Sequence, residues 1–146
     1  MTNEDFRAIC RAACYALNIE RPDALFDGDD VFLNGVKLGV FHDVELDDAI
    51  HCYLDIGCVE SSPDAVSMLQ EVLAINLELD AGLGEPVGME RKSGHLVLHA
   101  LVPGADEHAL ASRLRAYVEL VKELYGGVLS RITRPTSWVR NEALYA

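Results

Sequence analysis

The spacing of apolar residues changes period several times along this chain, and each change predicts an element. Residues 3–18 repeat at the helical interval. Phe6, Ile9, Cys10, Ala13 and Leu17 fall on one stripe, with Arg7, Arg11 and Asn18 opposite. Thr2 or Asn3 can cap that helix, and Asp5 lies near the positive end of its dipole. Residues 20–30 form a turn-rich link punctuated by Pro22 and Gly28. Strand periodicity then takes over. Residues 31–33 make a short strand, Asn34-Gly35 is a two-residue hairpin signal, and residues 36–44 run back. Residues 49–59 alternate, with Ile50, Cys52, Leu54, Ile56 and Cys58 on one side and His51, Tyr53, Asp55 and Gly57 on the other. Such alternation predicts an antiparallel sheet with one side against a core.

Ser62-Pro63-Asp64 combines a cap, a proline at the first helical position and an early acid. It opens a second long helix reaching about residue 80, roughly 25 Å at 1.5 Å per residue. The polar stripe of this helix is narrow, consisting of Ser67, Glu71, Ala74 and Glu78. Val66, Met68, Leu69, Val72, Leu73, Ile75, Leu77 and Leu79 occupy the rest. An ordinary surface helix needs an apolar stripe a little over ~100° wide, whereas this one is apolar over two adjoining faces. One face can cover the sheet; the other calls for a further partner, and a second subunit is the economical choice. Gly82 and Gly84 end the helix. Residues 87–91 and 95–102 form another hairpin about the turn 92–94, and Pro103-Gly104 breaks the chain. The last helix, residues 106–125, buries Leu110, Leu114, Tyr117, Val118 and Val121 and stops at Gly126-Gly127. The order α-β-β-β-α-β-β-α predicts an α+β fold, a twisted antiparallel sheet packed by helices, not a doubly wound sheet. One domain spans residues 1–127, and residues 128–146 form a tail with no assigned role.

Composition narrows what such a domain does. The chain has 146 residues, half of them hydrophobic, enough for one real core. No apolar run approaches the ~20 residues of a membrane helix. The acidic start, Met1 to Asp5, lacks the basic region and apolar stretch of a signal peptide, so the expected location is the cytoplasm. A net charge of −12 argues against nucleic acid and anionic membranes, and favours basic or neutral partners. Arg131, Arg134 and Arg140 form a local basic exception that reads as a solvated tail. Cys10, Cys14, Cys52 and Cys58 include no C-x-x-C spacing and stay reduced in that compartment.

Candidate chemistry is sparse. His95 and His99 lie ~13 Å apart on an extended strand, too far to share one metal ion. Cys10 and Cys14 are one helical turn apart, but Cys52 and Cys58 would sit ~20 Å apart on one strand, so small buried thiols are the expected reading. Asp27-Gly28-Asp29-Asp30 has its glycine misplaced for a calcium loop, and Val31 stands where a third acid ligand belongs. Gly82-Leu83-Gly84 with Gly88 follows a helix, not a strand, and is no dinucleotide fingerprint. No nucleophile elbow or Walker loop occurs. Neither a cofactor, a metal nor a catalytic group is therefore expected. His42, His51 and Asp55 are the one cluster that a small enzyme or ligand-binding protein on a dimeric α+β frame would use.

One ordered set of motifs resembles a known family. It comprises residues 69–77 (LQEVLAINL), Ala81-Gly82-Leu83-Gly84, Val87-Gly88-Met89, residues 93–98 (SGHLVL), and a final amphipathic helix with Leu114, Tyr117, Val118 and Leu124. The set is similar to the class I chaperones of bacterial type III secretion, the Tir-chaperone (CesT-like) family. The resemblance covers the chain to about residue 126, and the tail departs from it. It implies a small acidic cytoplasmic homodimer, not an enzyme, that binds the N-terminal segment of an effector in extended form and keeps it soluble and export-competent. It also implies a dimer contact at the second long helix and the following strand, here Leu73, Leu77, Leu79, Val87 and Met89. The client is expected to add strands to sheet edges and to set apolar side chains into shallow patches. The candidate patch is Phe32, Leu38, Val40 and Phe41, with Phe6 and Ile9 of the first helix.

Overall fold

In the computed structural model, residues 1–45, 48–58, 65–82, 87–103 and 107–126 are described. The first helix, α1, runs Asn3–Ala16 and begins on a capping box. Thr2 Oγ1 accepts from the Asp5 amide at 3.1 Å, and Asp5 Oδ2 accepts from the Thr2 amide at 2.9 Å. Each group satisfies an amide the helix start would leave bare. The Thr2 backbone bond also holds the Asp5 carboxyl below its usual range.

The turn-rich link contains a one-turn helix, α2 (Ala24–Asp27), that hydrophobic spacing does not reveal. Arg7 and Arg11 of α1 both grip the Asp23 carboxylate, Arg11 Nε at 2.7 Å and Arg7 Nη2 at 2.9 Å. These guanidiniums, Arg11 first, hold the Asp23 carboxyl well below the usual range. Arg21 pairs with Asp27 and Asp29 on the far side of the turn.

Five strands follow the expected hairpin logic. They are β1 (Val31–Leu33), β2 (Val36–Phe41), β3 (Ala49–Cys58), β4 (Val87–Met89) and β5 (His95–Pro103), in the sheet order β1-β2-β3-β5-β4, with every pairing antiparallel. Asn34 and Gly35 both take positive φ, 51° and 82°, as a two-residue turn that matches strand twist requires. The second strand ends at Phe41, short of the expected residue 44.

The helices α3 (Ala65–Gly82) and α4 (Glu107–Gly126) complete the set, giving an α+β architecture. One sheet face, including Val36, Leu38, Ile50, Leu54, Ile56, Leu96, Leu98 and Val102, is buried in one core with α1 and α4. Leu110, Leu114 and Val118 of α4, and Ile9, Cys10 and Ala13 of α1, supply the opposing layer. Burial raises the Cys10 thiol to about 12, consistent with an inert packing group. The helix cap at residues 62–64, the link 83–86 and the tail 128–146 lie outside the described residues.

The expected alternation of β3 fails at its last step. The register slips between Asp55 and Gly57, so Gly57 pairs with Leu96 and Cys58 with His95. The extra residue is Ile56, and Gly57 carries the bulge at φ 137°. Cys58 is thereby turned to the sheet face that carries His95, not to the core face where unbroken alternation places it.

Candidate protein-binding surfaces

The core face consumes the alternate residues of each strand, and their neighbours line an open face across the sheet. Register puts Phe41 opposite His51, Gly39 opposite Tyr53, Tyr53 opposite His99, and His51 opposite Leu101. Phe41, Tyr53 and Leu101 remain 50%, 42% and 46% exposed, far above what core residues retain. Four rings form a row. Phe41 and His51 lie 6.2 Å apart, His51 and His99 5.3 Å at 7° between planes, and His99 and Tyr53 4.9 Å at 14°. Within the row His51 Nδ1 is 3.0 Å from His99 Nε2. Burial, and next the charge of His51, lower the His99 pKa from its ordinary value.

The row borders a shallow cavity of about 350 Å³ lined by Tyr53, Gly88, Met89, Glu90, Val97 and His99. A side-chain carbon built on Gly88 or on Gly39 would meet nothing within 4 Å, so both positions are notches in the open face. A second, more polar hollow of about 390 Å³ lies towards Asp29, Asp30, Lys37, Asp55 and His95. Its charges are already matched: Lys37 Nζ to Asp30 at 2.9 Å, and His95 Nδ1 to Asp55 at 2.9 Å.

The other bare surface is on α3. Val72 is buried and Leu69 packs partly on the core, while one turn-spaced stripe of Val66, Leu73 and Leu77 stays 73%, 69% and 75% exposed. The Asn76 side chain ties this helix to the sheet edge, donating to Val87 O at 2.8 Å and accepting from Val87 N at 2.6 Å. The sheet side of α3 is thus fixed, and the stripe faces away from the chain's own core.

The expected site residues are placed unequally. Phe41 lies on the open face, and Phe32 and Val40 are half-buried. Phe6, Ile9 and Leu38 are core residues at 6%, 3% and 3% exposure, which corrects their assignment as client contacts. Phe6 packs against Phe26 and His42 at ring distances of 5.7 and 5.5 Å. On the dimer side Leu73, Leu77 and Met89 are exposed, and Val87 is buried beneath its own α3 at 4%, so its side chain is closed to a partner. The side chain of Leu79 lies outside the described residues.

His42, His51 and Asp55 do not converge. His42 is buried on the core side, with Nδ1 3.2 Å from Ala49 O and Nε2 3.3 Å from Met1 O. His51 pairs with His99, and Asp55 with His95. Among the described residues no three His, Cys, Asp or Glu side chains gather as a metal site would require, and no helix is long and apolar enough to cross a membrane. Sequence reasoning missed the His51–His99 contact. Both residues fall on polar positions of their strands, but nothing in the chain states that β3 and β5 are neighbours in that register.

No curated protein matches the chain. A chain of the solved structure "HopA1-SchA Chaperone-Effector Complex" shares the fold, with a TM-score of 0.63 at 16% identity over 83% of this chain and 93% of that one. The model of the Tir chaperone protein (CesT) family matches residues 39–125, more than half the sequence, and takes in β3, α3, β4, β5 and most of α4. The resemblance read from the leucine-rich helix and the strands after it therefore holds: this chain belongs to the Tir chaperone protein (CesT) family, and it is a chaperone and not an enzyme.

Proposed function

We propose that this protein is a type III secretion chaperone of the bacterial cytoplasm that, as a homodimer, holds the N-terminal segment of an effector in extended, non-globular form. One observation carries the reading. Among the described residues, the fold leaves two separate apolar surfaces bare, the Val66–Leu73–Leu77 stripe of α3 and the Phe41–Tyr53–Leu101 face of the sheet. The first suits a second copy, to which exposed Met89 of the edge strand and Leu79 of the same helix are also expected to contribute. The second suits a client, with Phe32 on the same side of the sheet, while Val40, paired with Cys52, packs on the core side. The solved structure of similar fold is a chaperone–effector complex, which supports the same assignment.

The physics fits an extended guest. Such a chain lacks a packed core, so its apolar side chains need shelter, and ordering it demands a large contact area. Side chains seated on the broad open face supply most of the affinity, notches for alternate side chains give selectivity, and the three-residue rims add a few main-chain bonds. The net charge of −12 keeps the loaded complex soluble.

Copurification with effector N-terminal segments encoded beside this gene tests the reading. The wild-type chain is expected to capture its client. Phe41→Asp is expected to weaken capture about tenfold, the scale of one lost aromatic anchor, while leaving the fold and dimer intact. Affinity unchanged by Phe41→Asp would remove the open face as the client site.

A further inference from the structure

The His51–His99 contact does something that shelter for a client does not require. Its two nitrogens stand 3.0 Å apart, a distance at which one carries the hydrogen and the other accepts it. Two imidazolium rings would point hydrogens at each other and break the contact. The charged groups around the face are already engaged. On β2, Lys37 pairs with Asp30. On β3 and β5, Asp55 pairs with His95. Beyond β4, Glu90 accepts from the Lys92 and Ser93 amides. At the far end Asp43 accepts from the Glu45 amide, and Asp48 holds the N-terminal amine. The phenol ring of Tyr53 stacks on His99.

We propose that this face is proton-linked: it receives an uncharged apolar stretch of a client chain while the His51–His99 pair is neutral, and releases it when acid charges the pair. The inference rests on the reading of the open face as client-facing. The occupant follows from charge and shape. With both imidazoles neutral, the row from Phe41 to Tyr53 bears no formal charge. The adjoining cavity of about 350 Å³ over Gly88 has room for one large apolar side chain, with Glu90 on its lining. A guest lying there dries the imidazoles further, and desolvation disfavours their charged form. Guest and proton thus exclude one another, and linkage makes the effect reciprocal. The sign follows from desolvation: burial already lowers the His99 pKa below 6.5 without a guest, a covering guest lowers it further, and affinity therefore falls as pH drops through the range in which the guest-free pair takes up its proton.

The test uses the full chain and Nile red, an apolar dye that stays neutral across the range. One proton expelled at pH 5.5 corresponds to at most about a tenfold change, the limit set by a histidine titrating at its ordinary value. The dye is expected to bind several-fold more weakly at pH 5.5 than at pH 7.5, up to about tenfold. The neutral double variant H51Q/H99Q is expected to lose less than half as much as the wild type, and H99Q alone supplies this arm if the double variant does not fold. Imidazole NMR signals of the wild type report His99 directly, and saturating dye is expected to shift its midpoint to lower pH. An absence of dye binding, equal losses in wild type and variant, or a His99 midpoint that the dye leaves in place would each overturn the proposal. No effector enters these measurements, so their failure leaves client capture standing, and failed capture leaves the titration result intact.

Discussion

Leu98 has no exposed surface and lies in the middle of the sheet, its strand neighbours Leu54 on one side and Val87 on the other. Three β-strands therefore share its side chain as a common contact, and α4 closes the layer above. Leu98→Ala removes the buried methyls and leaves a cavity that fixed strands cannot collapse into. The expected cost is about 2–5 kcal/mol, read as a lowered urea midpoint with an unchanged slope. An unaltered midpoint would mean that the core repacks around the gap. His42 illustrates a different residue-scale role. Its ring nitrogens reach carbonyls of Met1 and Ala49, so it pins the N-terminus beside the β2–β3 connection and is spent on structure, not chemistry.

At the scale of elements, the attachment of α3 is the decisive contact. A single side chain, Asn76, satisfies both backbone groups of Val87 and joins helix to edge strand. Asn76→Ala leaves a buried donor and acceptor without that partner. The expected loss is about 1–3 kcal/mol, with faster hydrogen exchange at the Val87 amide than at Leu98. Equal exchange at both would show that α3 is held by packing alone. Much of the element list was legible because periodicity is a local property: the stripe of α1, the alternation of β3 through Leu54, and the stripe of α4 all stand in consecutive residues. Asn34-Gly35 was legible for the same reason, since two positive φ values demand such residues. The four-residue α2 was not, because a single helical turn is too short for a pattern to recur. Nor was the bulge, since residues 49–59 alternate as well with Ile56 inserted as without it, and only pairing with β5 reveals the slip. The His51–His99 contact spans 48 residues and depends on β5 entering between β3 and β4. Client contacts were over-assigned for a related reason: an apolar residue reads the same from sequence whether its face is covered or bare, and Phe6 and Ile9 of α1 and Leu38 of β2 all fall on covered faces.

For the whole molecule, the unpaired stripe of α3 sets the expected assembly. Val66, Leu73 and Leu77 repeat at seven and four residues and so line one face, about 16 Å long at 1.5 Å per residue. Two copies related by a twofold axis can cover each other's stripe with the same patch. Sedimentation of the wild type is expected to show a dimer, and Leu77→Glu to shift it to monomer or aggregate by placing two carboxylates at the axis. A dimer that survives Leu77→Glu would move the contact elsewhere.

The sheet ends, at β1 and at β4, in strands only three residues long. A guest segment laid alongside either rim meets a rail too short for an extended ladder of main-chain bonds, so grip must come chiefly from side chains seated on the broad surface. The same brevity protects the protein from itself. Copies meeting rim to rim gain too little to propagate, and a molecule that carries adhesive patches at high concentration is thereby kept from growing into fibres.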